Sequence, residues 1–422
     1  MRIGIDTRLW NESGVGRYIR NLIEWLLIID KKNSYSLFVL PKDKENIILR
    51  LRSGQESQIS NLKRKWKIVT TDIRWHTIEE QLKFPSILNK ESLDLVHFPY
   101  FSVPIFYNKP FVVTIHDLIL HHFPTGEAST LPLPLYRLKL FGYKFIISKL
   151  AKKAKKIITV SNATKNEIID HLKVKPSKVV VTYEGIDDKI RNSNIEIRNK
   201  SKIINTKTIA DKYFLYVGNA YPHKNLDRLL EAFSLLCHPE ASAEGSHEIL
   251  RSAQNDIGLV LVGKEDYFYK RLKEKVQNMG LGKSVLFYGE ATDAQLQALY
   301  KNAQALVMPS LMEGFGLPAL EAMANKCLVL ASDNPSLHEV YGNAVMYFDP
   351  YDTKDLVRKM DVILVIRLCL SHPESLTAMG DAGRASMTNR DKIEKGLERV
   401  KLFSWEKMAK ETLRVYESCI AC

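Results

Sequence analysis

Cysteine is scarce in this chain. Its five cysteines, at 237, 327, 369, 419 and 422, are scattered and odd in number. No spacing among them suggests a zinc site, and none builds a disulfide framework. Cys419 and Cys422 form a terminal C-x-x-C, but it lies outside any strand–helix turn, so a frayed pair is expected rather than a redox centre. A reducing cytoplasm fits. Long apolar runs are also missing, and none reaches the roughly 20 residues that a membrane span needs. The opening residues, Met1-Arg-Ile-Gly-Ile-Asp6, read directly as a strand, so no secretory signal is expected. Acid is under-represented as well. Asp and Glu number 48 against 61 Lys and Arg, for a net charge of +13, which implies anionic partners. These are nucleotide phosphates, acidic lipid headgroups or nucleic acid. The absence of a nucleic-acid-binding motif and of an aromatic stacking ladder disfavours the last.

The shortage of acid is sharpest over residues 136–158. Arg137, Lys139, Lys144, Lys149, Lys152, Lys153, Lys155 and Lys156 occur there with no carboxylate, interleaved with Leu138, Leu140, Phe141, Phe145, Ile146 and Leu150. Such a basic amphipathic helix reads as a membrane-surface element. The alternative is the solvated face of an ordinary packed helix.

What is present is alternation. Short β-branched runs (Ile3–Asp6, Ser36–Leu40, Trp66–Thr70, Leu93–His97, Phe111–Ile115) alternate with helical periodicity, as over Gly16–Ile29. Alternation of this kind predicts a parallel sheet with helices on both faces. A second alternating unit begins at Tyr213, with strands at Phe214–Val217, Gly258–Val262, Val285–Tyr288, Ala305–Met308 and Leu328–Ala331. Two domains suit 422 residues. We expect one over 1–190, a polar linker over 191–209, and a second domain over 210–403. A closing helix over 404–418 is expected to pack back on the first. Cys237–Asp256 reads as a surface insertion, and 366–376 as a smaller one.

Four stretches carry polar residues at strand ends, where open α/β sheets bind ligands. The first is Ser13-Gly14-Val-Gly16-Arg17, where glycines and a following helix suit an anion. Next comes Thr114-Ile-His116-Asp117, whose histidine suits a sugar hydroxyl or proton movement. A third, Gly218-Asn219-Ala-Tyr221-Pro-His223-Lys224, offers a lysine to neutralise a departing diphosphate. The fourth is Ser310-Leu-Met-Glu313-Gly314-Phe-Gly316-Leu-Pro318-Ala-Leu-Glu321. It places a glycine loop before a helix that Pro318 opens. Glu313 falls in the loop and Glu321 in the first helical turn. Taken singly, each also reads as an ordinary turn, a structural histidine or a solvent-facing lysine.

Taken together, IDTRLWNESGVGRY, VVTIHDL, YVGNAYPHKNLDRLLEAF, LVGKE and PSLMEGFGLPALEAMA, in this order, resemble the family-four retaining glycosyltransferases with the GT-B fold. The PHKN element brings the chain nearest to mannosyltransferase-like members that build surface polysaccharides. The resemblance implies two Rossmann-like parallel-sheet domains facing across a cleft, with a nucleoside diphosphate sugar, GDP-mannose first, as donor. Glu321 would hold the ribose. Glu313 and the amides of Gly314, Phe315 and Gly316, beside Leu317, would hold the sugar. Lys224, near Asn219, would meet the diphosphate, and Gly14 and Gly16 would close over it. His116 would touch the sugar near the reacting carbon. Val262 and Gly263, with Lys264 and Tyr288, would shape the base pocket. No metal or other cofactor is implied. The acceptor would be a glycan or lipid-linked glycan at the inner membrane face. One departure stands out, because an arginine that many members carry before the lysine is replaced here by Asn219, Ala220 and Tyr221. A non-catalytic sugar-nucleotide-binding scaffold is the rival reading.

Overall fold

The structure, a computed structural model, describes residues 1–53, 65–126, 131–186, 210, 212–237, 257–371 and 391–419. The expected linker over 191–209 lies outside these residues, as does the insertion from 238 to 256. Two compact units emerge, Met1–Gly185 with Ser404–Cys422, and Ile186–Phe403.

In the first unit the strands are β1 (Arg2–Asp6), β2 (Ser34–Val39), β3 (Trp66–Thr70), β4 (Leu95–Phe98), β5 (Phe111–Thr114), β6 (Lys156–Thr159) and β7 (Val179–Val181). Their order is β3-β2-β1-β4-β5-β6-β7, and every pairing is parallel. Runs such as Phe111–Thr114 are buried at every position, as a parallel sheet covered on both faces requires. Tyr18, Leu22 and Leu26 of the helix Gly14–Ile29 fall on one stripe and are fully buried. The helix Trp405–Ser418 packs against this helix. Gly185 is where the chain leaves the first unit. A Cβ there would lie 2.1 Å from the backbone nitrogen of Trp405, so only glycine lets the departing and returning segments touch.

The second unit holds β8 (Lys212–Val217), β9 (Ile257–Val262), β10 (Val285–Gly289), β11 (Ala305–Met308), β12 (Val329–Ser332) and β13 (Met346–Phe348). The order is β10-β9-β8-β11-β12-β13, again parallel throughout. The sequence pattern had not shown β13. In both sheets the order reverses beside the first strand, at β1/β4 and at β8/β11. A crevice forms outside the strand ends at such a switch point.

Several boundaries differ from expectation. The basic helix spans Leu133–Lys153 and ends at Ala154, so Lys156 already belongs to β6. A helix over Thr353–Ser371 runs into the stretch read as a second insertion. Leu317, capped by Gly316, opens the helix that Pro318 was expected to open. Glu321 therefore lies in its second turn rather than its first.

Candidate active site

Tight backbone contacts join the carboxyl ends of β8, β9 and β10, beside the β8/β11 switch point. Gly218 donates its N–H to the Val262 carbonyl at 2.9 Å, and Gly263 donates to Gly289 at 3.0 Å. A Cβ on Gly263 would lie 2.1 Å from the Gly218 oxygen. The Val262 carbonyl and the Gly263 amide are thus spent within the protein. They shape the strand ends, and the Val262 side chain is buried.

After β8 the chain makes a single helical turn over Pro222–Lys224 and passes through Asn225 at φ 58°. Leu311 donates its N–H to the His223 carbonyl at 2.8 Å, joining this turn to the loop after β11. The join sets Lys224 against Glu313, with Nζ 2.7 Å from Oε1. Ser310 Oγ donates to the same oxygen at 2.7 Å. Burial pushes the Glu313 pKa up. The Lys224 charge and the hydrogen bonds from Lys224 and Ser310 outweigh that and hold it below the usual carboxylate value. Glu313 is therefore an anion poised beside one cation. His223 differs, because burial first and the Lys224 charge second hold its pKa down to about 4. It is neutral near pH 7 and does not replace the missing arginine.

Three residues that the sequence reading missed hold the loop in shape. Asn334 Nδ2 donates to the Ser310 carbonyl at 3.3 Å, and Ser336 Oγ to the Glu313 carbonyl at 2.6 Å. Tyr341 donates its hydroxyl to the Gly316 carbonyl at 2.6 Å. Gly316 sits at φ +84°, and a Cβ there would lie 2.0 Å from the Tyr341 oxygen, so no other residue fits. Gly314 is buried in this loop. Phe315 is a core side chain edge-on to Phe403. Glu321 is 2% exposed and accepts from Tyr300, another missed residue, at 2.9 Å. Asn219 is half-buried, and its carbonyl accepts from Tyr216 at 2.6 Å.

In the first unit, Gly14 and Gly16 lie inside the first turn of their helix and not in a loop before it. Gly14 is exposed with open space where a Cβ would go. Gly16 is buried, and a Cβ there would sit 2.5 Å from the Trp10 carbonyl oxygen. Gly16 is thus a packing glycine, and Gly14 is the one open to a ligand. His116 follows β5. Its Nε2 donates to the Pro99 carbonyl at 3.0 Å and its Nδ1 lies 3.3 Å from Glu184. The Pro99 carbonyl can only accept, so Nε2 carries a proton, and Nδ1 faces the Glu184 carboxylate. Burial, the largest single influence, lowers the His116 pKa, but Glu184, the Pro99 carbonyl and Asp117 together outweigh it, and it ends above the ordinary value. Nearby His97 is the reverse case. It bridges the hydroxyls of Tyr416 (2.6 Å) and Thr114 (2.8 Å). Burial, then the His116 charge, pull it to about 3.

Residues 13–189 match the family described as Glycosyltransferase Family 4, and residues 197–385 match that described as Glycosyl transferases group 1. This chain is a family-four GT-B glycosyltransferase. It is 28% identical to the O-antigen chain mannosyltransferase RfbU of Salmonella typhimurium over 66% of this chain and 67% of that protein. It is 29% identical to the serotype-specific mannosyltransferase WbdA of Escherichia coli over 52% of this chain, spanning 26% of that longer protein. Among solved structures, sucrose-phosphate synthase from Thermosynechococcus elongatus shares the fold at TM-score 0.71. Identity there is 18%, covering 100% of this chain and 99% of that one. Within the glycosyltransferase, the structure joins Lys224 and Glu313 directly. Glu321 lies in the helix that follows the Glu313 loop, while His116 and Gly14 belong to the other unit.

Proposed function

We propose that this glycosyltransferase moves a hexose, with mannose first, from a nucleoside diphosphate sugar to a glycan or lipid-linked glycan in surface polysaccharide synthesis. The mannosyltransferase names of its relatives and GDP-mannose as donor belong to this reading. The carrying observation is the Lys224–Glu313 pair at the β8/β11 switch point. Each partner matches one half of a sugar nucleotide. A diphosphate draws Lys224 away, and sugar hydroxyls then donate to the vacated Glu313 oxygen, helped by the amides of Gly314, Phe315 and Gly316. Glu321 takes the ribose. Lys224 and the N-terminus of the helix Leu317–Ala324 meet the charge that develops on the leaving diphosphate. We read the transfer as metal-independent and retaining, with attack on the face from which the diphosphate departs. His116, held by the Pro99 carbonyl and Glu184, touches the donor sugar near the reacting carbon. The protein works in the cytoplasm, with the basic helix Leu133–Lys153 contacting an anionic membrane that carries the acceptor.

Nucleotide release from a panel of nucleoside diphosphate sugars, with and without glycan acceptor, tests the reading. Thermal melts of the same panel identify the donor, since a ligand at a hundred times its dissociation constant adds about 2.7 kcal/mol to stability. One observation favours a non-catalytic binder instead. Asn219, Ala220 and Tyr221 replace the expected arginine, and His223 is uncharged. Donor-dependent stabilisation without acceptor-dependent nucleotide release would establish that second reading.

A further inference from the structure

From Leu131 to Asn166 the chain carries no carboxylate. The helix Leu133–Lys153 buries one face through Tyr136, Ile147, Leu150 and Ala151. Its other face leaves Leu138, Phe141 and Phe145 exposed by 68%, 71% and 48%. These residues recur at three- and four-residue spacing, so they form one stripe. A groove beside the stripe is lined by Phe141, Phe145, Ser148 and three lysines, Lys144, Lys149 and Lys152. Lys149 stands over the Phe145 ring at 5.6 Å.

A second apolar group lies on different elements. Ile78 and Leu82 share a face of the helix Ile78–Lys90 and are 80% and 63% exposed, and Phe106 in the loop after β4 is 58% exposed. Hydrogen bonds join the two groups. Ile105 donates its N–H to Gln81 at 2.9 Å, beside Leu82. Lys153, one turn beyond Lys149, donates to the Ile105 carbonyl at 3.0 Å and to Asn108 at 2.6 Å. The one acid on the outer helix face here, Glu79, is paired with Lys83 at 2.8 Å, and Glu80 is buried against Arg8. Apolar side chains and lysines of the first unit are therefore linked, with no uncompensated carboxylate between them among the described residues.

We propose that this is a composite docking surface for an anionic lipid bilayer. Leu138, Phe141 and Phe145 form one apolar contact, and Ile78, Leu82 and Phe106 a second, with the lysines between them on lipid phosphates. A lipid surface fits because large apolar side chains at this exposure enter the headgroup boundary while lysines bind anionic lipid. An acidic protein or glycan would match the lysines alone. The proposal rests on the membrane part of the function proposed above. It adds the second apolar group, which the sequence pattern of 136–158 does not contain.

Vesicle co-sedimentation of the full chain tests it, using phosphatidylcholine with and without phosphatidylglycerol. Binding should require phosphatidylglycerol and fall as salt rises. Each of Lys144→Gln, Lys149→Gln and Lys152→Gln should weaken it about fivefold. The triple change Ile78→Ser, Leu82→Ser, Phe106→Ser should weaken it on the order of tenfold or more. These side chains are exposed, so the circular dichroism spectrum should not change. Wild-type binding by the triple variant would overturn the composite surface while sparing contact through the helix alone. A wild-type chain that ignores anionic vesicles at low salt, or prefers a soluble acidic polysaccharide, would overturn both. Nucleotide release with a water-soluble acceptor should stay at the wild-type rate in every variant. A matching loss there would assign these residues to transfer and sink the docking role.

Discussion

The two sheets share one strand order yet treat their switch points differently. At β1/β4 the cation is Arg8, whose side chain is 0% exposed. It donates to Asp6 at 2.8 and 2.7 Å, to Glu80 at 2.5 Å and to the Ile73 carbonyl at 3.1 Å, and lies 3.8 Å from the Phe84 ring centroid. Ser102 and the His76 amide complete the shell around Glu80. At β8/β11 the cation is Lys224, 16% exposed, facing Glu313. A closed network leaves a ligand little to exchange with, because every guanidinium nitrogen already has an acceptor. A single pair at the surface of a crevice can be opened by a molecule that brings one anion and several hydroxyls. Charge at a strand end is thus structural in one unit and suited to ligand exchange in the other, and burial with satisfied hydrogen bonding tells them apart.

The comparison can be broken experimentally, and the largest effect is expected on the closed side. Arg8→Met leaves two buried carboxylates without their cation and should cost about 3–5 kcal/mol of stability in urea denaturation. A loss below about 1 kcal/mol would show that the network is not what holds this end together. Lys224→Met should instead leave a folded chain and slow nucleotide release about 10²–10³-fold, the size of losing one preorganised charge contact. If it melts as Arg8→Met does, both pairs are structural and the contrast fails. Tyr300→Phe removes one donor to Glu321 and should weaken nucleoside diphosphate binding roughly tenfold, read by titration calorimetry. Unchanged affinity would take Glu321 off the nucleotide.

The smallest effects are slopes against pH, and they should have opposite signs. The folded pKa of His116 lies above its unfolded value of 6.5. Its stabilisation is full below pH 6.5 and is lost as pH rises through the folded value. Glu313 is depressed below 4.5, so its share is present above pH 4.5 and is lost as pH falls through the folded value. Stability measured across pH should lose the first slope in His116→Gln and the second in Glu313→Gln. Retention of either slope in its own variant would remove that residue from the account.

Much of the fold was legible because parallel strands buried on both faces read as unbroken apolar runs. Edges read less well. β13 is three residues long, too short to show a period. The basic helix was drawn too far because Lys155 and Lys156 continue its composition, although Ala154 ends it and β6 begins at Lys156. At the site, Lys224 and Glu313 were legible from strand-end position and motif. Ser336, Tyr341 and Tyr300 were not, because each reaches a partner more than 20 residues away, and no local pattern encodes such a bond. The neutrality of His223 was equally hidden, since it follows from burial and from a charge that only the folded turn brings near.

Gly185 and the helix it lets return have a consequence for the order in which the molecule can be made. The second unit is one uninterrupted segment and can close as soon as Phe403 has been synthesised. The first is not. The buried side chains Trp405, Met408, Thr412 and Tyr416, which complete its packing, appear only after the second unit. At about 5–20 residues per second, the apolar stripe on the helix Gly14–Ile29 waits on the order of ten seconds or more for its cover. The first unit is thus begun before the second and completed after it, and a growing ribosomal product carries an open seam throughout the synthesis of the second unit.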